Sequence, residues 1–309
     1  MEIPIIYYPL TILCLDDEDI MLRTLTNYIS PKYPVITASS SQSAESLLLQ
    51  SPQGFLSSYL KKIINNNDND STEIQLNIRL EQLSGLLEIP ERMNEIGVMV
   101  VDYMLPDSNG LELCQKYHES PIQKFLFTGF QDNQKVLDAY RTRDIQSFLP
   151  KTHPNLFHEL LTNLSQLTTD FFLKATQQLR ANIEIKNVLP ITDDYLFKDF
   201  FKNTINNMEI RHWCLIDTVG SFLFLNSKAE FLYFVIHTED SLDSFTKLYN
   251  ENDFQIFIEP IKNRLKIPFF GANTDPTDVD VSEWGNYMYK PQKFIGKKIY
   301  YWNIIKREV

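Results

Sequence analysis

Residues 11–19 read TILCLDDED, five mostly apolar residues running straight into four acids. A strand of that composition belongs in an interior, where carboxylates at its end are costly to desolvate unless something binds them. The pattern returns along the first 150 residues. Segments 11–15 (TILCL), 34–37 (PVIT), 97–101 (GVMVV), 124–128 (KFLFT) and 146–149 (QSFL) read as strands, and the segments between them space their apolar residues as helices do. That alternation predicts βαβ crossovers and an α/β fold with a doubly wound, five-stranded parallel sheet. Strands covered on both faces are apolar throughout rather than alternating, as VMVV and FLF are.

Ligands of a doubly wound sheet sit beyond the carboxyl ends of its strands. Here the first strand ends in Asp16 and Asp17, the third in Asp102, the fourth in Thr128 and the fifth in Lys151. Carboxylates a few ångströms apart repel by up to ~4 kcal/mol per pair at an effective dielectric of 20. A cation must therefore sit among them. A hard divalent ion such as Mg²⁺, which takes oxygen ligands and keeps water positions that a phosphate can enter, answers that need.

These segments together resemble the receiver domain of two-component response regulators, over about residues 8–165. CLDDED is similar to the acid pair of that family, VVDYMLPDSNGLEL to its phospho-acceptor segment with Leu105, Pro106 and Gly110 in place, FLFTGF to its strand-four Thr128 and small Gly129, and SFLPKTHP to its strand-five lysine. The resemblance implies a flavodoxin-like receiver in which Asp102 accepts a phosphoryl group. It further implies Mg²⁺ held by Asp16, Asp17, Asp102 and the Met104 backbone carbonyl, with Thr128 and Lys151 contacting the phosphoryl oxygens. Phe148 stands at the aromatic switch position, where a Tyr is commoner. Phe130 would shield the acyl phosphate and slow its hydrolysis. The implied partners are a sensor histidine kinase or phosphotransfer protein upstream and a protein partner downstream. One departure concerns the residue after the lysine, usually proline, which is Thr152 here while Pro150 precedes.

A chain of 309 residues with 43% hydrophobic and 13% aromatic content can bury two cores, and is divided on its sequence into three parts. The receiver spans 1–152, with an insertion at about 50–95 containing the polar run NNNDND and the amphipathic EIQLNIRLEQLSGLL. Residues 153–190 form an extended helix or linker, capped by Thr152 and stopped by Pro190. Its Leu160, Leu164, Leu167 and Phe171 read either as the closing helix of the first domain or as the seam of a homodimer. Residues 191–309 form an α+β domain: a helix with Thr192 as N-cap, then an antiparallel meander of RHWCLID, GSFLFLN and FLYFVIHT, a further helix at EDSLDSFTKLYNEND, a short strand at PFF and a closing strand KKIYYWNII. The LIDTVGSFLFLN hairpin resembles those of PAS-like sensory domains.

No apolar run reaches the ~20 residues of a membrane-spanning helix, so a cytoplasmic protein without a membrane partner is expected. Cys14, Cys114 and Cys214 lack any CxxC spacing and read as small core residues. A net charge of −11 opposes binding to a phosphate backbone and disfavours nucleic acid as a partner. The second half carries no phosphate loop, HExxH or GxSxG string. His212 and His237 read as packed strand residues, Asp217 as a turn acid, 275–283 as an acidic loop without the EF-hand spacing, and Lys290, Lys293, Lys297 and Lys298 as a solvated basic face. The resulting expectation is a phosphorylation-activated regulator with a non-DNA-binding interaction or sensory output. An enzymatic output using those acids, as a nuclease or phosphodiesterase, is the alternative.

Overall fold

The computed structural model describes residues 2–52, 54–65, 80–129, 133–177, 179–181, 194–249, 252–271 and 274–307. It forms two compact units. One gathers the described residues of Tyr8–Lys62 and Ile89–Gln177; the other gathers those of Met1–Tyr7, Ile63–Glu88 and Gln178–Val309.

Going along the chain, strand β1 is Ile6–Tyr7, β2 Thr11–Leu15, helix α1 Asp19–Ile29, β3 Val35–Ala38, α2 Ser41–Gln50 and α3 Phe55–Asn65. Then come β4 Ile96–Val101, α4 Gly110–Lys116, β5 Gln123–Thr128, α5 Asn133–Arg141, β6 Ser147–Pro150 and α6 Leu156–Ala175. The first unit is built on a parallel sheet ordered β3-β2-β4-β5-β6. Its strand order reverses between β2 and β4, which places the switch point of a doubly wound fold beside the ends of those two strands. All six residues of β4 and of β5 are buried, as the unbroken apolar runs predict.

Alternation along each strand divides the core. Ile12, Cys14, Val98, Val100, Phe125 and Phe127 face α1 and α6 through Leu22, Leu25, Ile29, Leu160, Leu164 and Leu167. Leu13, Leu15, Met99, Val101 and Leu126 face Ala44 and Leu48 of α2, Cys114 of α4, and Val136 and Ala139 of α5. The heptad-like leucines of α6 are therefore consumed by their own sheet, and the homodimer seam is corrected accordingly: Leu160 and Leu164 are wholly buried and Phe171 is 2% exposed. Asn155 precedes α6 with no side-chain cap, so Thr152 does not cap it, while Pro190 lies outside the described residues.

The second unit continues with α7 Tyr195–Asn207, β7 Ile210–Leu215, β8 Phe222–Asn226, β9 Phe231–Thr238, α8 Glu239–Leu248, α9 Gln255–Lys262, β10 Ile267–Pro268, β11 Met288–Tyr289, β12 Gln292–Ile295 and β13 Ile299–Lys306. Its sheet is antiparallel throughout, in the order β1-β7-β8-β9-β13-β12, and contains the expected meander. One face packs Phe197, Phe200 and Phe201 of α7 on Phe222, Phe224, Phe234 and Trp302. The other buries Val235 and Tyr301 under Leu242, Ile258, Ile261 and Trp284. Thr192 lies outside the described residues, and Asp194 caps α7: its Oδ1 accepts from the Leu196 and Phe197 N–H groups, and its Oδ2 accepts from the Lys297 N–H and the Tyr300 hydroxyl.

The division of the chain differs from the sequence-based one in three places. Residues 6–7 pair with β7, so the N-terminus serves the second unit. Helix α6 belongs to the first unit instead of forming a linker. Of the expected insertion, α3 as far as Lys62 falls in the first unit and the turns of 3₁₀ helix at Leu80–Glu88 in the second, with Leu83 and Leu86 wholly buried. The polar run at 66–70 lies outside the described residues.

Candidate functional site

Four of the five parallel strands end at the residues that the sequence singles out. Asp16 follows β2, Asp102 follows β4, Thr128 closes β5 and Lys151 follows β6. Backbone bonds fix the ends: the Asp102 N–H donates to the Leu15 carbonyl at 2.8 Å, the Asp16 N–H to the Ala38 carbonyl at 3.2 Å, and the Lys151 N–H to the Thr128 carbonyl at 2.9 Å.

Their side chains converge. Lys151 Nζ lies 2.7 Å from Asp16 Oδ2 and 2.9 Å from Asp102 Oδ2, with both carboxylates buried. One carboxylate oxygen from each of Asp16, Asp17 and Asp102 falls within 4.8 Å of the others, and Asp17 is the exposed member at the mouth. Asp16 Oδ1 accepts from the Glu18 N–H, and Asp102 Oδ1 from the Tyr103 N–H. Burial pushes the Asp16 carboxyl above the usual range despite the pull of Lys151. For Lys151, burial works against the charge, yet the two carboxylates win and hold the ammonium above its ordinary value.

This donor set fits a hard divalent cation. All its atoms are oxygens, and buried Asp16 Oδ2 has the Lys151 ammonium beside it without a well-directed hydrogen bond. Met104 sits at the start of the loop after β4 and is 60% exposed. It pairs with Asn109 in an isolated antiparallel bridge closed by the Gly110 N–H on the Tyr103 carbonyl. In that register the flanking residues exchange the backbone bonds, so the loop does not use the Met104 carbonyl. Gly110 is required sterically, because a Cβ there would stand 1.9 Å from the Asp102 carbonyl oxygen. Around Gly129 a Cβ would meet nothing within 4 Å among the described residues. Phe148 on β6 is part exposed, its ring in edge contact with Tyr140 of α5 at 6.1 Å. Phe130 lies outside the described residues.

The second unit's candidates are occupied structurally. Asp217 Oδ1 accepts from the Val219, Gly220 and Ser221 N–H groups, holding the β7–β8 turn. His237 Nε2 lies 2.9 Å from the Pro268 carbonyl oxygen, and burial holds its imidazole below the ordinary range. Asp275 and Asp280 cap the short turns that follow them. Lys298 reaches Asp240 at 3.5 Å. The three cysteines are buried, and burial pushes the Cys14 and Cys114 thiols up to about 12. Sequence reasoning missed three charged groups of the first unit. Buried Glu95 precedes β4, Lys124 opens β5 with its ammonium on the His118 and Ser120 carbonyls, and Asp107 lies in the loop after Asp102.

No protein-family model and no curated protein matches the chain. Among solved structures, the response regulator LqsR of Legionella pneumophila is similar with a TM-score of 0.74 and 20% identity, covering 99% of this chain and 90% of that one. The signal receiver domain of an HD domain-containing protein from Pseudomonas fluorescens covers 53% of this chain and 97% of its own, at 19% identity and a TM-score of 0.36. A CheY-like response regulator receiver domain protein from Methanospirillum hungatei covers 53% and 96%, at 17% identity and a TM-score of 0.34. The likeness to LqsR runs nearly the length of the chain and shows a shared fold. Among the described residues no helix is long and apolar enough to cross a membrane.

Proposed function

We propose that this protein is a phosphorylation-activated response regulator whose receiver accepts a phosphoryl group on Asp102 and passes the signal to a non-DNA-binding output. The observation that carries the reading is the Lys151 ammonium held between buried Asp16 and Asp102, with Asp17 in the same cluster. Phosphoryl transfer needs little covalent chemistry from a protein and much charge matching. The Asp102 carboxylate attacks the phosphorus of a phosphohistidine on a kinase or phosphotransfer protein; the new P–O bond forms as the P–N bond breaks, and the imidazole leaves with the bonding pair. Asp16, Asp17, Asp102 and the Met104 carbonyl would hold Mg²⁺. When bound, that ion offsets charge on the phosphoryl oxygens. Lys151 supplies the fixed positive charge, and Thr128, at the end of the neighbouring strand, supplies a hydroxyl.

The signal would leave through β6. Lys151 follows that strand directly, and Phe148 lies on it three residues earlier against Tyr140. A binding output is favoured over an enzymatic one because Asp217, Asp275 and Asp280 already serve as turn caps. The test is labelling by a small phosphodonor in Mg²⁺ buffer, followed by capture of partners with and without beryllofluoride. Wild-type protein should acquire an acid-labile adduct and Asp102→Asn should acquire none. An unchanged adduct on Asp102→Asn refutes the acceptor.

A further inference from the structure

The loop from Asp102 to Gly110 is fastened at its tip as well as at its base. Asp107 Oδ1 accepts from the Ser41 N–H and Oδ2 from the Gln42 N–H, both at 3.0 Å, and the Ser108 and Ser41 hydroxyls are hydrogen-bonded to each other. Ser41 and Gln42 are the first two residues of α2, whose N–H groups have no partner inside the helix. Ser40 covers the third, on Ser43, through a capping box. An acid 66 residues away thus completes the cap of α2.

The consequence appears when the backbone bonds are followed around the pocket. From Asp102 the chain bonds to Leu15, the residue before Asp16. Asp16 bonds in turn to Ala38, which ends β3, and three residues later α2 begins. The Asp107 carboxylate then returns from α2 to the loop that starts at Asp102. The two buried acids therefore stand on a closed circuit of backbone and hydrogen bonds that the Asp107 carboxylate closes, with the Ser108–Ser41 hydroxyl pair beside it.

We propose that Asp107 is a positioning residue for the acid pocket, fixing the loop that carries Asp102 and the Met104 carbonyl against the strand that carries Asp16. The proposal rests on the phosphoacceptor reading above. Asp107 touches no reacting atom in it. Its action is through loop register, and supports of that kind typically alter metal affinity by 10- to 100-fold.

The experiment uses the full chain, with Mg²⁺ alone titrated calorimetrically and labelling rates from acetyl phosphate measured across Mg²⁺ concentrations. Asp107→Ala should weaken Mg²⁺ binding about tenfold and shift the rate curve to higher Mg²⁺, with a smaller loss at saturation. Asp107→Asn, which keeps one acceptor oxygen on the α2 N–H groups, should recover part of the affinity. Ser40→Ala strips the cap of the same helix without touching the loop and should leave Mg²⁺ affinity at the wild-type value. Equal weakening by Ser40→Ala and Asp107→Ala would reduce Asp107 to an ordinary helix cap and overturn the proposal, as would unchanged affinity in Asp107→Ala. Wild-type protein that neither binds Mg²⁺ nor takes phosphate would instead remove the phosphoacceptor reading, and this inference with it.

Discussion

Replacing Lys151 by methionine keeps most of the side-chain volume and removes the charge that separates Asp16 from Asp102. At 2.7 and 2.9 Å the ammonium gains roughly 6 kcal/mol from each carboxylate at an effective dielectric of 20. Most of that sum offsets the cost of desolvating three charges. Removing one member of such a buried set leaves the others uncompensated, at a net cost of about 3–5 kcal/mol. The Lys151 side chain is 15% exposed and the acids less, so water screens the set little. For a unit of this size, 1 kcal/mol corresponds to about 2–4 °C in melting temperature, which puts the loss for Lys151→Met near 10 °C in EDTA. The variant pocket is also more negative by one charge than the native one, so Mg²⁺ should bind it more tightly. A ligand at 100 times its Kd stabilises by about 2.7 kcal/mol, and 10 mM Mg²⁺ should therefore restore more of the melting temperature in the variant than it adds to the wild type. Thermal melts with and without Mg²⁺ decide the matter. A variant that melts with the wild type in EDTA, or gains no more from Mg²⁺ than it does, would refute the electrostatic account of the pocket.

Glu95 is 2% exposed, and burial pushes its carboxyl up to about 7 even though it accepts from the Leu56 N–H and the Tyr8 hydroxyl. Its folded-state value exceeds the unfolded one, so stability should be greatest below about pH 4.5 for this group and fall by about 3 kcal/mol as pH rises through 7, at 1.36 kcal/mol per pH unit. Urea unfolding should show that slope between pH 5 and about 7 and lose it above, and Glu95→Gln should flatten it. Gly110→Ala drives a methyl into the Asp102 carbonyl and should cost at least about 2 kcal/mol while slowing phosphodonor labelling, whereas Gly129→Ala should change stability by under about 0.5 kcal/mol. A fragment of residues 191–309 should be less stable than one with residues 1–8 restored. It lacks the Ile5 carbonyl that accepts the Leu215 N–H, the Pro4 carbonyl that accepts the Trp213 indole N–H, and the Tyr7 ring stacked 4.2 Å from Trp213; equal urea midpoints would count against that.

The receiver sheet was legible because its strands are buried on both faces and carry their chemistry at one end. VMVV and FLF cannot be surface strands, and four of the five runs stop at residues whose meeting a shared site explains. The C-terminal meander was legible for a different reason, since its strands are separated by short polar turns. What escaped depends on partners distant in sequence. Ile6–Tyr7 lies within an apolar stretch punctuated by Pro4 and Pro9, and nothing local says that it pairs with Trp213 and Cys214. Strand β12 shows three exposed residues of four and reads as loop. Pro260 inside α9 masks that helix, because proline normally ends one. Asp107 looks like ordinary turn chemistry in LPDSNG, since its α2 partners are remote. For Glu95 and Lys124 the sequence gives charge but no burial, and burial alone makes them unusual.

On the proposed phosphoacceptor reading, the pocket's formal charge lets one lysine serve both as a structural counter-ion and as a trigger. Three carboxylates and one ammonium leave −2, which a divalent cation would cancel. Converting the Asp102 carboxylate to an acyl phosphate adds about one further negative charge and three strong acceptor oxygens. Lys151 already lies 2.9 Å from Asp102, and its ammonium is shared with Asp16 at 2.7 Å. A new, more negative neighbour on Asp102 competes for it, and every displacement of the ammonium away from Asp16 is referred to the backbone of β6, bonded to β5 along its length. Because β5 is buried and held between two strands, the part that would yield is the edge strand and its half-exposed Phe148. On that reading, the same geometry that stabilises the resting acids would make the edge of the sheet sensitive to the charge placed on Asp102.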